Sequence, residues 1–141
     1  MITGINIYDT VDYVSKFDPE KTNPTVFKIG FLDVKIKNWI SDKTSDFEFS
    51  SKNPEDKAKV VFRVKERNLE LVRFGLKGMV NFLDPHTKEP VKFSEVAVSM
   101  FNKSYNVVSD SILNMLPPKV IDELADVILG ETELSEEEVK N

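Results

Sequence analysis

The sequence predicts an α+β domain that is mostly helical, with an N-terminal β-hairpin or small sheet packed against about four to five α-helices. Three observations lead to this fold class. Apolar residues alternate with polar ones near the N-terminus, which is the period of a strand. Further along the chain they recur every three to four positions, which is the period of a helix. A late segment has a proline at its start and a glycine near its end, as helices often do.

Two N-terminal segments are predicted as the strands of the hairpin. Residues 7–15 are rich in β-branched and aromatic side chains and place Val11 and Tyr13 on one face. Residues 25–31 alternate in the same way, with Phe27 among the apolar positions. The intervening residues 17–24 contain two prolines and several polar side chains, which predicts the connecting loop.

The first helix is predicted over residues 33–42, because apolar side chains recur there at helical spacing. Asp33 lies in its first turn, where a carboxylate is favourable. Residues 41–54 are rich in Ser, Asp and Lys and are expected to form a loop. Phe47 and Phe49 within this loop are interpreted as a short strand or as a cover for the edge of the core.

A long helix is predicted over residues 56–81. Residues 60–64 also fit a strand, so this first part of the helix is left open. Gly75 and Gly78 would each weaken a soluble helix by up to about 1 kcal/mol relative to Ala, which indicates that another element packs closely there. The apolar stripe that predicts the helix consists of Val61, Val64, Leu69, Val72, Leu76, Met79 and Leu83.

The C-terminal third is predicted as a turn followed by helices. Residues 84–90, which include His86, form the turn because of their Asp, Pro and Thr content. Ser94 with Glu95 is expected to cap a helix over 95–103. One or two further helical turns are expected over 107–115.

The last helix is predicted over residues 118–129, starting at Pro118 and stopping at Gly130. Residues 131–141 are expected to form a short acidic C-terminal tail. The sequence therefore predicts a single globular domain over residues 1–130 followed by this tail.

The charge distribution argues against a nucleic-acid partner, and the hydropathy pattern argues against a membrane span. The net charge is −5, and residues 130–141 hold five Glu and one Lys, so that −4 lies in the tail and −1 in residues 1–129. The body therefore lacks the excess of basic residues that nucleic-acid binding requires. One basic group is interpreted as a solvated helix face because acidic residues are interleaved with it; it consists of Lys57, Lys59, Arg63, Lys65 and Arg67. No apolar run is long enough to cross a membrane.

No set of residues predicts catalysis, a metal site or a cofactor site. The chain has no cysteine and one histidine, His86, so a zinc site would need three or four carboxylates. No nucleophile elbow and no phosphate-binding loop occur. The neighbouring carboxylates Asp9/Asp12, Asp122/Glu123/Asp126 and Glu136–Glu138 are interpreted as solvated surface. We expect a protein that is not an enzyme and needs no cofactor.

The order of several short motifs resembles that of small proteins of tailed bacteriophages, which are encoded in the structural gene cluster and are often labelled tail assembly chaperones. The resemblance implies a protein that binds the long tape-measure protein in the host cytoplasm and keeps its apolar helices soluble until the tail tube forms. It leaves the oligomeric state open. The motifs are residues 9–14, 23–32, 72–82, 91–94, 116–117 and 134–141.

Two other functions remain open at this stage. One is a structural part of the virion, namely a head–tail connector, a tail-completion protein or a decoration subunit. The other is a small inhibitor of a host protein that uses the acidic surface.

The expected partner-binding residues lie in the last helix and the tail. They are Leu124 and Ile128 on the apolar face of the helix, and Glu136, Glu137 and Glu138 in the acidic cluster. The alternatives are that the apolar face packs on its own domain and that the tail serves only solubility.

Overall fold

A computed structural model describes residues 1–4, 6–45 and 54–140, with side chains over 1–4, 6–42 and 61–132. Within these residues the chain forms five strands and four helices. In chain order these are β1 (Thr10–Val14), β2 (Val26–Gly30), α1 (Val34–Ser45), α2 (Pro54–Gly75), β3 (Leu76–Val80), β4 (Glu95–Met100), β5 (Lys103–Val108), α3 (Asp110–Leu113) and α4 (Pro118–Lys140).

The predicted N-terminal hairpin is confirmed. β1 and β2 pair antiparallel, with Thr10 opposite Gly30 and Val14 opposite Val26. Phe27 of β2 faces the core, as the alternation predicted. β1 has the outer position, because the strand order in this sheet is β1-β2-β3.

The third strand of this sheet corrects the predicted long helix. α2 ends at Gly75 and β3 begins at the next residue, whereas a helix was expected to continue to residue 81. Pairing with β2 accounts for the change, since Met79 lies opposite Phe27 and both backbones are hydrogen-bonded in the sheet. Over residues 76–80 the chain therefore forms a strand, because pairing with β2 outweighs the helical spacing of the apolar residues.

A second hairpin replaces two predicted helical segments. Residues 95–103 and 107–115 were expected to be helical, but β4 and β5 pair antiparallel over 95–108, and only the four-residue α3 is helical beyond them. The two residues of the turn, Phe101 and Asn102, have φ values of 55° and 60°. This is the left-handed backbone that tight two-residue hairpin turns require.

The fold class is therefore α+β, but the expectation of a mostly helical protein with about four to five helices was wrong. Two small antiparallel sheets of three and two strands account for much of the described chain, and one of the four helices is a single short turn. The error has one source: residues 76–80 and 95–108 carry apolar side chains at spacings that fit either period.

The first predicted helix is confirmed as α1, and Asp33 caps it. The Asp33 carboxylate accepts a hydrogen bond from the Ile36 backbone N–H at 2.9 Å, which satisfies one of the free donors of the first turn. The loop expected over residues 41–54 was wrong at its start, because residues 41–45 belong to α1. Phe47 and Phe49 lie outside the described residues.

The last helix begins at Pro118 as predicted, but it does not stop at Gly130. α4 continues to Lys140, so glycine is tolerated inside the helix, at a cost of about 1 kcal/mol. The expectation of a helix end at Gly130 was wrong. The division into a domain over 1–130 and a tail over 131–141 stays a prediction.

Helix α2 lies at the centre of the packing. It contacts α1, α4 and β5, and it leads directly into β3. Leu71, Val72 and Phe74 near its C-terminal end are almost fully buried. Most of the remaining core comes from β2, α1, β3, β5, α3 and α4. Its most buried side chains include Ile29, Ile36, Leu76, Val108, Ile112, Leu124 and Ile128.

We predict that Gly75→Ala lowers the free energy of unfolding by about 1–3 kcal/mol, the usual cost of overpacking. A Cβ atom at residue 75 would lie 2.6 Å from Cγ2 of Ile128, which is fully buried and cannot easily move. Urea denaturation of both proteins measures the difference.

Gly130→Ala is the matched control. A Cβ atom there meets nothing within 4 Å, and alanine is the better helix former by up to about 1 kcal/mol. This variant should be as stable as the parent or more stable. Equal stability of Gly75→Ala and the parent would contradict the close approach of α4 to α2.

Candidate functional site

The expected contact face of the last helix lies inside the protein in this fold. Leu124 and Ile128 both have 0% relative exposure, and they pack inside the protein. Ile128 fills the space that the absent side chain of Gly75 leaves on α2. In this fold the apolar face of α4 closes the domain's own core, which is the alternative that the sequence left open.

The second part of the expected surface is the acidic cluster. Glu136, Glu137 and Glu138 lie in the C-terminal part of α4. Their side chains lie outside the described residues, and their role in partner binding stays a prediction.

Glu123 binds strand β1 to helix α4. Its carboxylate accepts hydrogen bonds from the Tyr13 hydroxyl at 2.8 Å, the Ser15 hydroxyl at 2.5 Å and the Lys16 backbone N–H at 2.9 Å. Burial alone would raise the pKa of Glu123, but these hydrogen bonds to the charged form outweigh it and lower the pKa. Burial and the bond to this carboxylate raise the pKa of Tyr13 to about 12.

Asp122 makes a separate contact with helix α2. Its carboxylate accepts a hydrogen bond from Lys65 Nζ at 2.6 Å and another from Asn68 Nδ2 at 2.9 Å. Burial acts to raise the pKa of Asp122, and the hydrogen bonds from Lys65 and Asn68 lower it overall. The sequence interpreted Asp122 and Glu123 as solvated surface, whereas each of them connects α4 to another element.

A concave site lies between the two sheets. This inter-sheet cleft has a volume of about 380 Å³. Its floor is apolar and includes Leu32, Ile36 and Phe74, and Tyr8 lies at its mouth. Polar side chains from both sheets and from the start of α1 complete the lining; they are Thr10, Asp33, Lys77, Glu95, Lys103, Ser104 and Asn106.

Asp33 and Tyr105 form the fixed polar pair of this cleft. The Tyr105 hydroxyl donates to the Asp33 carboxylate at 2.7 Å, and Lys103 Nζ lies 3.5 Å from the same carboxylate. Burial acts to raise the pKa of Asp33, but hydrogen bonds from Ile36 and Tyr105 lower it overall. Burial and the bond to Asp33 raise the pKa of Tyr105 to about 12.

Lys77 crosses from the first sheet toward the second. Its Nζ donates to the Asn106 carbonyl oxygen at 3.3 Å. Burial lowers the pKa of Lys77, and Glu95 opposes this in part. Gly30 leaves room for the stem, because a Cβ atom there would lie 2.7 Å from Lys77 Cγ. The cleft therefore combines an apolar floor with a rim that carries both signs of charge.

A second depression lies beside the start of α4. We call it the Phe17 groove; it has a volume of about 370 Å³ and is lined by Ser15, Phe17, Asp18, Thr25, Phe27, Phe82, Pro117, Lys119 and Val120. Phe17 is 48% exposed. Lys16 Nζ and Lys119 Nζ lie 5.4 Å and 5.7 Å from the centre of this ring.

Both depressions were missing from the sequence prediction, for a simple reason. The cleft brings together residues near positions 8, 33, 77 and 105, which are distant in the chain and meet only through sheet topology. His86, in contrast, lies exposed in the expected turn, where Asp84 accepts hydrogen bonds from the backbone N–H groups of His86 and Thr87. Among the side chains that the structure describes, no cluster of His, Asp or Glu could hold a metal ion.

Comparison with protein-family models, with curated proteins and with solved structures gave no match for this chain. A search of the described helices found none that is both long enough and apolar enough to span a membrane.

We predict that Glu123→Gln lowers the free energy of unfolding by about 1–3 kcal/mol, since the change weakens hydrogen bonds to a buried charged group. The control is Asp126→Asn, which removes a carboxylate from an exposed position on the same helix and should change stability by less than about 0.5 kcal/mol. Chemical denaturation at neutral pH measures both. Equal effects of the two changes would contradict the role given to Glu123.

The hydrogen-bonded Glu123 carboxylate also predicts how the free energy of unfolding depends on pH. Because the folded protein lowers the pKa of Glu123 below its ordinary value of 4.5, the charged form stabilises the fold above that value. This stabilisation is lost as the pH falls through the lowered pKa. The stability difference between the parent and Glu123→Gln should therefore be largest above about pH 5 and should shrink in acid. If the stability difference between the parent and Glu123→Gln grew as the pH fell below 4.5, the result would contradict a lowered pKa of Glu123.

Proposed function

We propose that this protein is a non-enzymatic bacteriophage tail assembly chaperone that binds the tape-measure protein in the host cytoplasm during tail morphogenesis. The resemblance of its ordered motifs to that group of phage proteins supports the proposal. The inter-sheet cleft is the observation that carries it, because a chaperone of this kind needs a surface that accepts apolar side chains of a partner.

The chemistry of the cleft suits a protein segment. A volume of about 380 Å³ lies within the usual range of roughly 300–1,000 Å³ for binding clefts. Leu32, Ile36 and Phe74 offer an apolar floor for one anchoring side chain. The Asp33–Tyr105 pair and Lys77 offer donors and acceptors to the polar groups beside that anchor.

Tyr8 is the best candidate for a direct contact. Its side chain is 82% exposed at the mouth of the cleft. Exposed tyrosines are frequent among the residues that dominate binding energy, because a partner can bury the ring while the hydroxyl stays solvated.

Co-expression with the tape-measure protein tests the function. The proposal expects a soluble complex of the two chains that survives purification. A tape-measure protein that is equally soluble with and without this chain would contradict it.

We predict that Tyr8→Ala weakens binding of the tape-measure protein by about fivefold or more, since truncation of an anchoring residue costs more than about 1 kcal/mol. The control is Phe62→Ala, which removes an aromatic ring of 62% exposure outside the cleft and should leave binding within about twofold. Titration of the purified proteins measures both constants. Equal loss in the two variants would exclude the cleft as the contact site.

A structural role in the virion is the second candidate. The observation that favours it is that β1 and β4 each have a free edge among the described strands, because such edges can pair with a strand of another subunit. Mass spectrometry of purified virions separates the two functions. A stoichiometric amount of this chain in the virion favours the structural role, and its absence favours the chaperone.

A further inference from the structure

The Phe17 groove has an unusual distribution of charge. Two ammonium groups, from Lys16 and Lys119, lie within 6 Å of the centre of one aromatic ring. In the part of the chain that the structure describes, neither lysine forms an ion pair with a carboxylate. Two like charges close to an exposed apolar ring repel each other, and an anionic group placed between them would relieve that repulsion.

Two carboxylates close to these lysines already accept hydrogen bonds within the fold. Asp18 lines the groove, but its two oxygens accept hydrogen bonds from the backbone N–H groups of Glu20 and Thr25. Glu123 accepts the three hydrogen bonds from Tyr13, Ser15 and the Lys16 backbone. Both carboxylates therefore serve the fold. The charge of Lys16 acts on Glu123 at longer range, but neither Lys16 nor Lys119 lies within ion-pair distance of a described carboxylate.

The groove beside these lysines is apolar. Phe27 and Val120 are buried in its wall, and the rings of Phe27 and Phe82 are in tilted contact at 6.2 Å. A volume of about 370 Å³ is at the lower end of the range for binding clefts. An apolar side chain of a partner can enter the groove while its neighbouring carboxylates meet the lysines.

We propose that the Phe17 groove binds an acidic segment of a separate protein, in which an aromatic or leucine side chain is flanked by Asp or Glu residues. The apolar anchor occupies the groove, and the flanking carboxylates pair with Lys16 and Lys119.

The acidic residues at the C-terminal end of α4 are too far along the helix from Lys119 to pair with it within one molecule. They begin at Glu131, on the same continuous helix as Lys119, and 12 residues at 1.5 Å each place them about 18 Å away along the helix axis. The two lysines, which form no ion pair in the described part of the chain, favour an acidic segment of a separate partner as the occupant.

Fluorescence anisotropy with a synthetic peptide tests the proposal. The probe is a labelled peptide of about twelve residues, in which one Phe and one Leu lie between glutamates, and the matched probe has Gln in place of every Glu. The full-length chain should bind the acidic probe at least about threefold more tightly than the Gln probe, since two exposed ion pairs distinguish the probes. Equal binding of the two probes, or no binding of either, would overturn the proposal.

Charge reversal locates the site. The double variant Lys16→Glu/Lys119→Glu should weaken binding of the acidic probe by about tenfold or more. The control Lys35→Glu/Lys92→Glu changes the net charge equally at two exposed lysines outside the groove and should retain binding within about twofold. Circular dichroism shows whether each variant is folded. If the double variant in the groove is unfolded, Phe17→Ala is measured instead, and we expect the same loss of affinity for the acidic probe. Equal effects of the groove and control variants would overturn the assignment.

Two further outcomes would also overturn it. In sedimentation analysis, a parent chain that self-associates and a groove double variant that is monomeric, with the control variant still associated, would show that a second copy is the occupant. Tighter binding of a DNA duplex than of the acidic probe, lost in the same variant, would assign the two lysines to phosphate groups instead.

Discussion

The contact between helices α2 and α4 at Gly75 and Ile128 determines how the rest of the molecule is arranged. Because residue 75 has no side chain, Ile128 packs directly against the α2 backbone, and Leu124 and Ala125 are buried with it. The same glycine is the last residue of α2, so the chain turns into β3 next to this contact with α4. One close helix contact therefore fixes the position of the three-stranded sheet relative to both helices.

Polar side chains then attach the strands to this pair of helices. Glu123 holds the end of β1 against α4, and Asp33 both caps α1 and accepts the hydroxyl hydrogen bond of Tyr105 from β5. Each carboxylate is half-buried or buried and is satisfied by several donors, which makes it costly to remove. Each attachment borders one of the two depressions. Asp33 and Tyr105 line the inter-sheet cleft, and Ser15, which is bonded to Glu123, lines the Phe17 groove.

Local patterns in the sequence predicted the elements whose periodicity has only one interpretation. The β1–β2 hairpin, α1 and the start of α4 at Pro118 belong to this group. The spacing of residues 76–80 and 95–108 fits both periods, and only pairing with β2 and the turn at Phe101–Asn102 selects the strands. The cleft and the groove are not local properties at all, so a pattern of side chains along the chain cannot indicate them. Glu123 was misread for the same reason, since its partners lie more than 100 residues away.

Native-state hydrogen exchange is the most direct test of the central role of the α2–α4 contact. Amides of residues 71–75 and 122–130 should be the most protected, and they should exchange together with those of β2 as one cooperative unit. The same protection should drop in Gly75→Ala, in which the contact is disrupted. Slow exchange in the sheets combined with fast exchange in α4 over residues 122–130 would contradict this arrangement.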